Sequence, residues 1–183
     1  RVEPLSVEAF EPFGDVVSAG LRAGQSANQG TATRFDWCTE LVNARAQAKA
    51  NVSVFRSVAK ALPFTLKLLE HHPYSTQAFL PMVCTRYLVC VAPTVDGGPD
   101  VRGLRAFLCQ PGQGINYRVG VWHHPIIALE SDADFVMVAF EDGTRDDCVV
   151  KTLDAPIVID GQVLVDGAVL NNLPTAVMRQ MTA

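Results

Sequence analysis

Short apolar runs separated by Gly, Pro and Asp dominate the middle of this chain. Residues 51–56 alternate, with Val52 and Val54 on one side, as a strand requires. Over residues 63–72 a strand reading places Phe64, Leu66, Leu68, Glu70 and His72 on one face. Thr65, Lys67, Leu69 and His71 fall on the other. Further strands are predicted over 78–82, 87–92, 104–109, 121–129 and 135–140, with breakers at 96–99, 111–114 and 142–143. Helix is sparse. Residues 6–13 fit a short helix capped by Ser6 and stopped near Gly14, and residues 37–50 show helical spacing in part. Many short strands at this spacing predict a β-barrel or sandwich rather than a βαβ sheet. The stretch 161–183 differs in character. It reads as a strand at 163–165 followed by an amphipathic helix at 174–181, an accessory arm or oligomer contact attached to a domain of residues 1–160.

Composition narrows the function classes. A length of 183 residues, 49% of them hydrophobic, suits one domain with a substantial core. A net charge of −4 without a long basic run argues against a nucleic-acid surface. No apolar stretch approaches the ~20 residues needed to cross a bilayer, and no signal-peptide pattern is visible. The five cysteines are odd in number and never spaced C-x-x-C, which predicts free thiols, a reducing cytoplasm and no cysteine zinc site.

The chemistry concentrates in two segments. All four histidines lie in Glu70-His71-His72-Pro73 and Gly120-Val121-Trp122-His123-His124-Pro125, each pair followed by proline. Imidazole is the side chain best suited to proton transfer and metal ligation near neutral pH. Strand parity divides the four. Glu70 and His72 continue the apolar face of Leu66 and Leu68, whereas His71 points away. If Val121 faces inward, so does His123, and His124 does not. Gln77 shares a face with Phe79 on the strand after the turn. Glu70, His72, Gln77 and His123 are therefore expected to converge in one barrel mouth. Read singly, each histidine also fits a hydrogen-bonded structural imidazole; the matched parity favours a site.

The spacing Glu70-x-His72-x(4)-Gln77 with Gly120-x-x-His123 resembles the two motifs of the cupin barrel, H-x-H-x(3,4)-E and G-x-x-H, which bind a divalent metal. Here Glu70 stands at the first histidine position and Gln77 at the glutamate. The resemblance implies a mainly β, jelly-roll type barrel with a few short helices. It also implies Glu70, His72, Gln77 and His123 as ligands for Ni²⁺, Mn²⁺ or Zn²⁺. Longer stretches point further: Ala27-Asn28-Gln29-Gly30, Ser75-Thr76-Gln77-Ala78-Phe79-Leu80-Pro81-Met82, Leu104-Arg105-Ala106-Phe107, Gln113-Gly114-Ile115-Asn116-Tyr117 and the two histidine segments are similar, in order, to the ureidoglycolate lyase family.

That resemblance implies cleavage of (S)-ureidoglycolate to glyoxylate and urea in purine breakdown, by a homodimer acting on a small ureide. His123 would take the hydroxyl proton, with His72 or Glu70 as acid or metal ligand. Gln77 and Asn28 would bond the ureido group, and Tyr117 and Trp122 would wall the pocket. Arg34 or Arg56 would grip the carboxylate. Two other outcomes remain open at this point: an amidohydrolase releasing ammonia and carbon dioxide, and a barrel of the same shape that binds small molecules without turnover.

Overall fold

A computed structural model describes residues 1–165 and 168–170. Its architecture is two facing β-sheets closed into a jelly-roll barrel. One sheet runs, in spatial order, Glu3–Pro4, Arg105–Cys109, Arg86–Ala92, Trp122–His123, Phe64–His71 and Val149–Ile159, with Ile127–Leu129 also on Arg86–Ala92. The other runs Gly14–Val17, Gly114–Tyr117, Gln77–Val83, Ala133–Glu141 and Lys49–Ser57. Apart from the parallel Glu3–Pro4 pairing, every strand contact in both sheets is antiparallel.

Two apolar clusters explain the sequence pattern. Phe79, Tyr87, Val89, Val91, Phe107, Ile115, Phe135 and Met137 pack between the sheets. Leu66, Leu69, Leu88, Cys90, Ala92, Leu108, Trp122 and Ile127 pack on the opposite side of the first sheet. Arg86–Ala92 alternates between the two clusters, so both its faces are covered. That is why it reads as a continuous apolar run rather than an alternation. The second sheet is different: Val52 and Val54 on the edge strand Lys49–Ser57 are exposed while Asn51 and Ser53 turn inward, half-buried.

Several expectations need correction. The helix is shorter than residues 6–13. It spans Val7–Phe10, and Ser6 Oγ accepts from the Ala9 amide at 3.1 Å. Gly14 then opens a strand so close to its neighbour that a Cβ there would lie 2.0 Å from the Asn116 carbonyl oxygen. Residues 37–50 form no helix; they run as irregular chain, pinned by side-chain and main-chain bonds, until the strand at Lys49. The predicted strand 121–129 is two strands, because Pro125 has no amide to give to a ladder. The long edge strand Val149–Ile159 escaped prediction: Pro156 lies within it, tolerated where the register shifts between Thr152 and Ile157. Val163–Val165 is a strand, paired with Ala168–Leu170. The helix expected over 174–181 lies outside the described residues.

Candidate functional site

Strand register assembles the site. His123 lies directly opposite Glu70 on one neighbouring strand and Val91 on the other. Val91 belongs to the cluster between the sheets, so His123 points into the barrel. Trp122, one residue earlier, is paired with Ala92 and packs in the outer cluster. In the second sheet Gln77 is opposite both Tyr117 and Ala139, and Ala139 is opposite Asn51. These four share the inner face at one level, and Tyr117 closes the gap to the first sheet by stacking on the His123 ring at 4.0 Å.

At that point Glu70, His72 and His123 present side-chain donors that all lie within 4.8 Å of one another. The His72 and His123 rings stack with centroids 5.5 Å apart. His123 Nε2 is 3.6 Å from Glu70 Oε1. Each imidazole is tied by its other nitrogen to a main-chain carbonyl: His72 Nδ1 to Asp147 at 2.8 Å and His123 Nδ1 to Val121 at 2.9 Å. A carbonyl only accepts, so both Nδ1 atoms carry the proton. Both Nε2 atoms therefore face the interior beside Glu70, and neither has a hydrogen-bond partner among the described residues. Gln77 Oε1 and the Tyr117 hydroxyl are also buried without partners. Four orphaned polar atoms around one carboxylate are costly in an apolar interior and are expected where a ligand completes them. A carboxylate and two imidazoles anchored through Nδ1 suit a borderline divalent cation.

Electrostatics sort the charges. Burial pushes the Glu70 carboxyl up, but the adjacent His123 ring, with His72 and His124 beyond it, outweighs burial and leaves the carboxyl below its ordinary 4.5. Burial, with repulsion from His123, lowers His72 from 6.5 despite the Asp147 carbonyl and the Glu70 and Glu141 carboxylates. At neutral pH the site thus holds an ionised Glu70 and a neutral His72. Burial raises the Tyr117 phenol well above 10, so it stays protonated.

The remaining expected residues are spread out. Gln77 is beside the site, 4% exposed. Trp122 is not a pocket wall: it lies on the far face of its sheet, stacked on His71 at 4.1 Å. His71 is thereby half-buried against the indole rather than solvated. His124 packs edge-on to Phe64. Asn28 sits exposed in a turn with left-handed φ of 51°, at the tip of the separate hairpin Gln25–Ala27 and Ala32–Arg34. Arg34, on the same hairpin, is exposed and paired with Asp36. Arg56 is exposed and held by both oxygens of Asp134 at 2.8 and 2.9 Å. It lies five residues along the strand from the level of Gln77, roughly 17 Å away. Neither arginine faces the site, because each already satisfies a local carboxylate.

Sequence reasoning passed over four groups. The Asp147 and Val121 carbonyls that orient the histidines carry no side-chain signature. Cys148 Sγ is 3.8 Å from Glu70 Oε2. Lys49 is opposite Glu141, two residues beyond the Asn51 level and so on the same inner face, at the rim of the mouth. A cleft there of about 440 Å³ is lined by Gln47, Lys49, Glu141, Asp142 and Thr144.

Among the described residues no helix is long and apolar enough to cross a membrane. By fold, the chain is similar to a dTDP sugar isomerase from Desulfovibrio desulfuricans G20, with 12% identity, 78% of this chain and 84% of that one covered, and a TM-score of 0.47. By sequence, it is 41% identical to a ureidoglycolate lyase of Pseudomonas fluorescens, covering 80% of this chain and 87% of that protein. It is 42% identical to one of Burkholderia cepacia over 75% and 77%. The ureidoglycolate lyase family profile matches residues 1–160, which takes in both histidine segments and every strand of the two sheets. The chain belongs to the ureidoglycolate lyase family.

Proposed function

We propose that this enzyme cleaves (S)-ureidoglycolate to glyoxylate and urea. The observation that carries the reading is the pair of Nε2 lone pairs, on tautomerically fixed imidazoles, aimed at one point beside an ionised Glu70. Ureidoglycolate is a carbinolamine. Its hydroxyl proton must leave as the C–O bond becomes C=O, the C–N bond breaks, and the departing urea nitrogen must gain a proton. One group can do both. His123 Nε2 takes the hydroxyl proton, the Glu70 carboxylate 3.6 Å away stabilises the imidazolium, and the same proton passes to the leaving nitrogen. His72 Nε2 accepts a hydrogen bond from the ureido N–H, and the Gln77 amide and Tyr117 hydroxyl complete its polar contacts. Alternatively, the same Glu70, His72 and His123 donors would hold a divalent cation, Ni²⁺, Mn²⁺ or Zn²⁺, which would polarise substrate oxygens and lower the hydroxyl pKa in place of proton abstraction by His123 Nε2.

The test is product identity. Purified enzyme should release urea and glyoxylate in equal amounts, measured before and after chelation and alongside elemental analysis. Ammonia in place of urea would establish the amidohydrolase outcome. Absence of turnover, with glyoxylate still raising the melting temperature, would establish a non-catalytic binder.

The substrate carboxylate needs a cation, and Lys49 is the residue at the mouth that can supply it: it makes no ion pair among the described residues. Lys49→Met is expected to raise KM about tenfold with little change in kcat, since a remote anion contact contributes equally to ground and transition states. An unchanged KM would remove Lys49 from the site.

A further inference from the structure

We propose that Arg45 is a positioning residue for this site: by pinning the turn at 142–147 it holds the Asp147 carbonyl that fixes the His72 tautomer. The inference rests on His72 working through its Nε2, as proposed above, but its geometry stands apart from any substrate. Arg45 lies in the irregular segment before the Lys49 strand, and that segment is laced to the turn following His72. The Ala44 amide donates to the Tyr74 carbonyl at 2.8 Å, Asn43 bridges to Ser75, and the Thr76 amide donates to the Val42 carbonyl. The Arg45 amide is itself held by Asn43 Oδ1 at 2.9 Å. Its guanidinium lies over the Tyr74 ring, 4.8 Å from the centroid.

From there the guanidinium reaches two carboxylates at once: Nη1 meets Asp142 at 2.9 Å and Nη2 bonds Asp147. All three side chains are 10–13% exposed, so this is a largely buried arrangement rather than a surface pair. Asp147 in turn accepts from the Asp142 amide at 3.1 Å and the Gly143 amide at 2.7 Å, closing the turn on itself. The carbonyl of that same Asp147 accepts from His72 Nδ1. One cation thus neutralises two adjacent carboxylates whose repulsion would otherwise open the turn, and the turn presents the one acceptor that keeps the His72 proton off Nε2. A carbonyl that moves away leaves the ring free to populate both tautomers, and groups of this kind behind metal-binding or catalytic histidines typically carry 10–100-fold effects.

His123 supplies an internal control. Its Nδ1 bonds the Val121 carbonyl on its own segment, which owes nothing to Arg45. The experiment is two-bond ¹H–¹⁵N correlation of the four histidine rings in the metal-free full chain, at about pH 8, above the ordinary imidazole range. In the wild type, His72 and His123 should each show a single Nδ1–H tautomer. In Arg45→Ala, His72 should shift to a mixture while His123 is unchanged, and kcat/KM should fall about 10–100-fold. Arg45→Lys, which can face only one carboxylate well, should be intermediate in both readouts. If Arg45→Ala does not fold, Asp142→Asn, which removes one of the two anions, should move His72 in the same direction by less. A wild-type His72 tautomer in whichever of these variants folds, or equal disturbance of His72 and His123, would overturn the proposal. Failure of the wild type to release urea would instead count against the functional reading and leave the tautomer result standing.

Discussion

Replacing His123 with Asn is expected to lower kcat/KM for ureidoglycolate by about 10²-fold or more, the usual cost of losing a positioned proton-transfer group. The substitution is chosen for what it keeps. An asparagine amide reaches the place of Nδ1 and can still donate to the Val121 carbonyl, so the main-chain anchor of His123 survives. The atom lost is Nε2, which is buried, lacks a protein partner and stands 3.6 Å from Glu70. His123→Gln extends an amide toward the Nε2 position and restores polarity without basicity. If the residue only fills space or satisfies polar neighbours, the glutamine variant should recover turnover. If it moves a proton, both variants should be equally poor. Near-normal turnover of His123→Asn would end the assignment of His123 as base, and Glu70, lacking its imidazolium partner, would lose its role with it.

Why the centre of this site was legible in the sequence, and its periphery was not, follows from the range of the forces involved. Parity along a strand is a local rule. It put Glu70 with His72 and set His123 apart from His124 without any knowledge of topology, and their donors lie within 4.8 Å of one another. A β-barrel or sandwich was readable for a similar reason, since breaker spacing and apolar runs are local, while the jelly-roll came from the resemblance of the two histidine motifs. What depends on partners far along the chain was not readable. Trp122 looks like a pocket residue because it adjoins His123, yet its sheet is covered on both faces and the indole belongs to the other one. Arg34 and Arg56 look available for a substrate carboxylate until Asp36 and Asp134 appear beside them. Asp147 meets His72 through its carbonyl, which every residue possesses, so that contact leaves no mark in the sequence. The strand Val149–Ile159 was hidden by its interior Pro156, which only an edge position and a shifted register excuse.

Trp122→Ala should destabilise the fold by about 3–5 kcal/mol, as full truncation of a buried aromatic does. That corresponds to a fall of roughly 6–20 °C in melting temperature for a domain of this size. The indole is 4% exposed and sits in the outer cluster with Leu66, Leu69, Leu88 and Ile127. Its removal also strips the His71 ring, whose Nδ1 is already buried without a partner, of its stacking surface. The cavity left in that cluster adds to the lost transfer energy. Because an alanine this close to His123 can disturb the site indirectly, the discriminating variant is Trp122→Phe, which leaves most of the ring volume in place. Its stability loss should be smaller and its KM for ureidoglycolate should stay within about twofold, since the far face of a sheet contributes no substrate contact. A tenfold rise in KM for Trp122→Phe at nearly unchanged melting temperature would return the indole to the pocket wall. The opposite pattern, melting lowered and KM held, locates Trp122 in the core that fixes the strand on which His123 is carried.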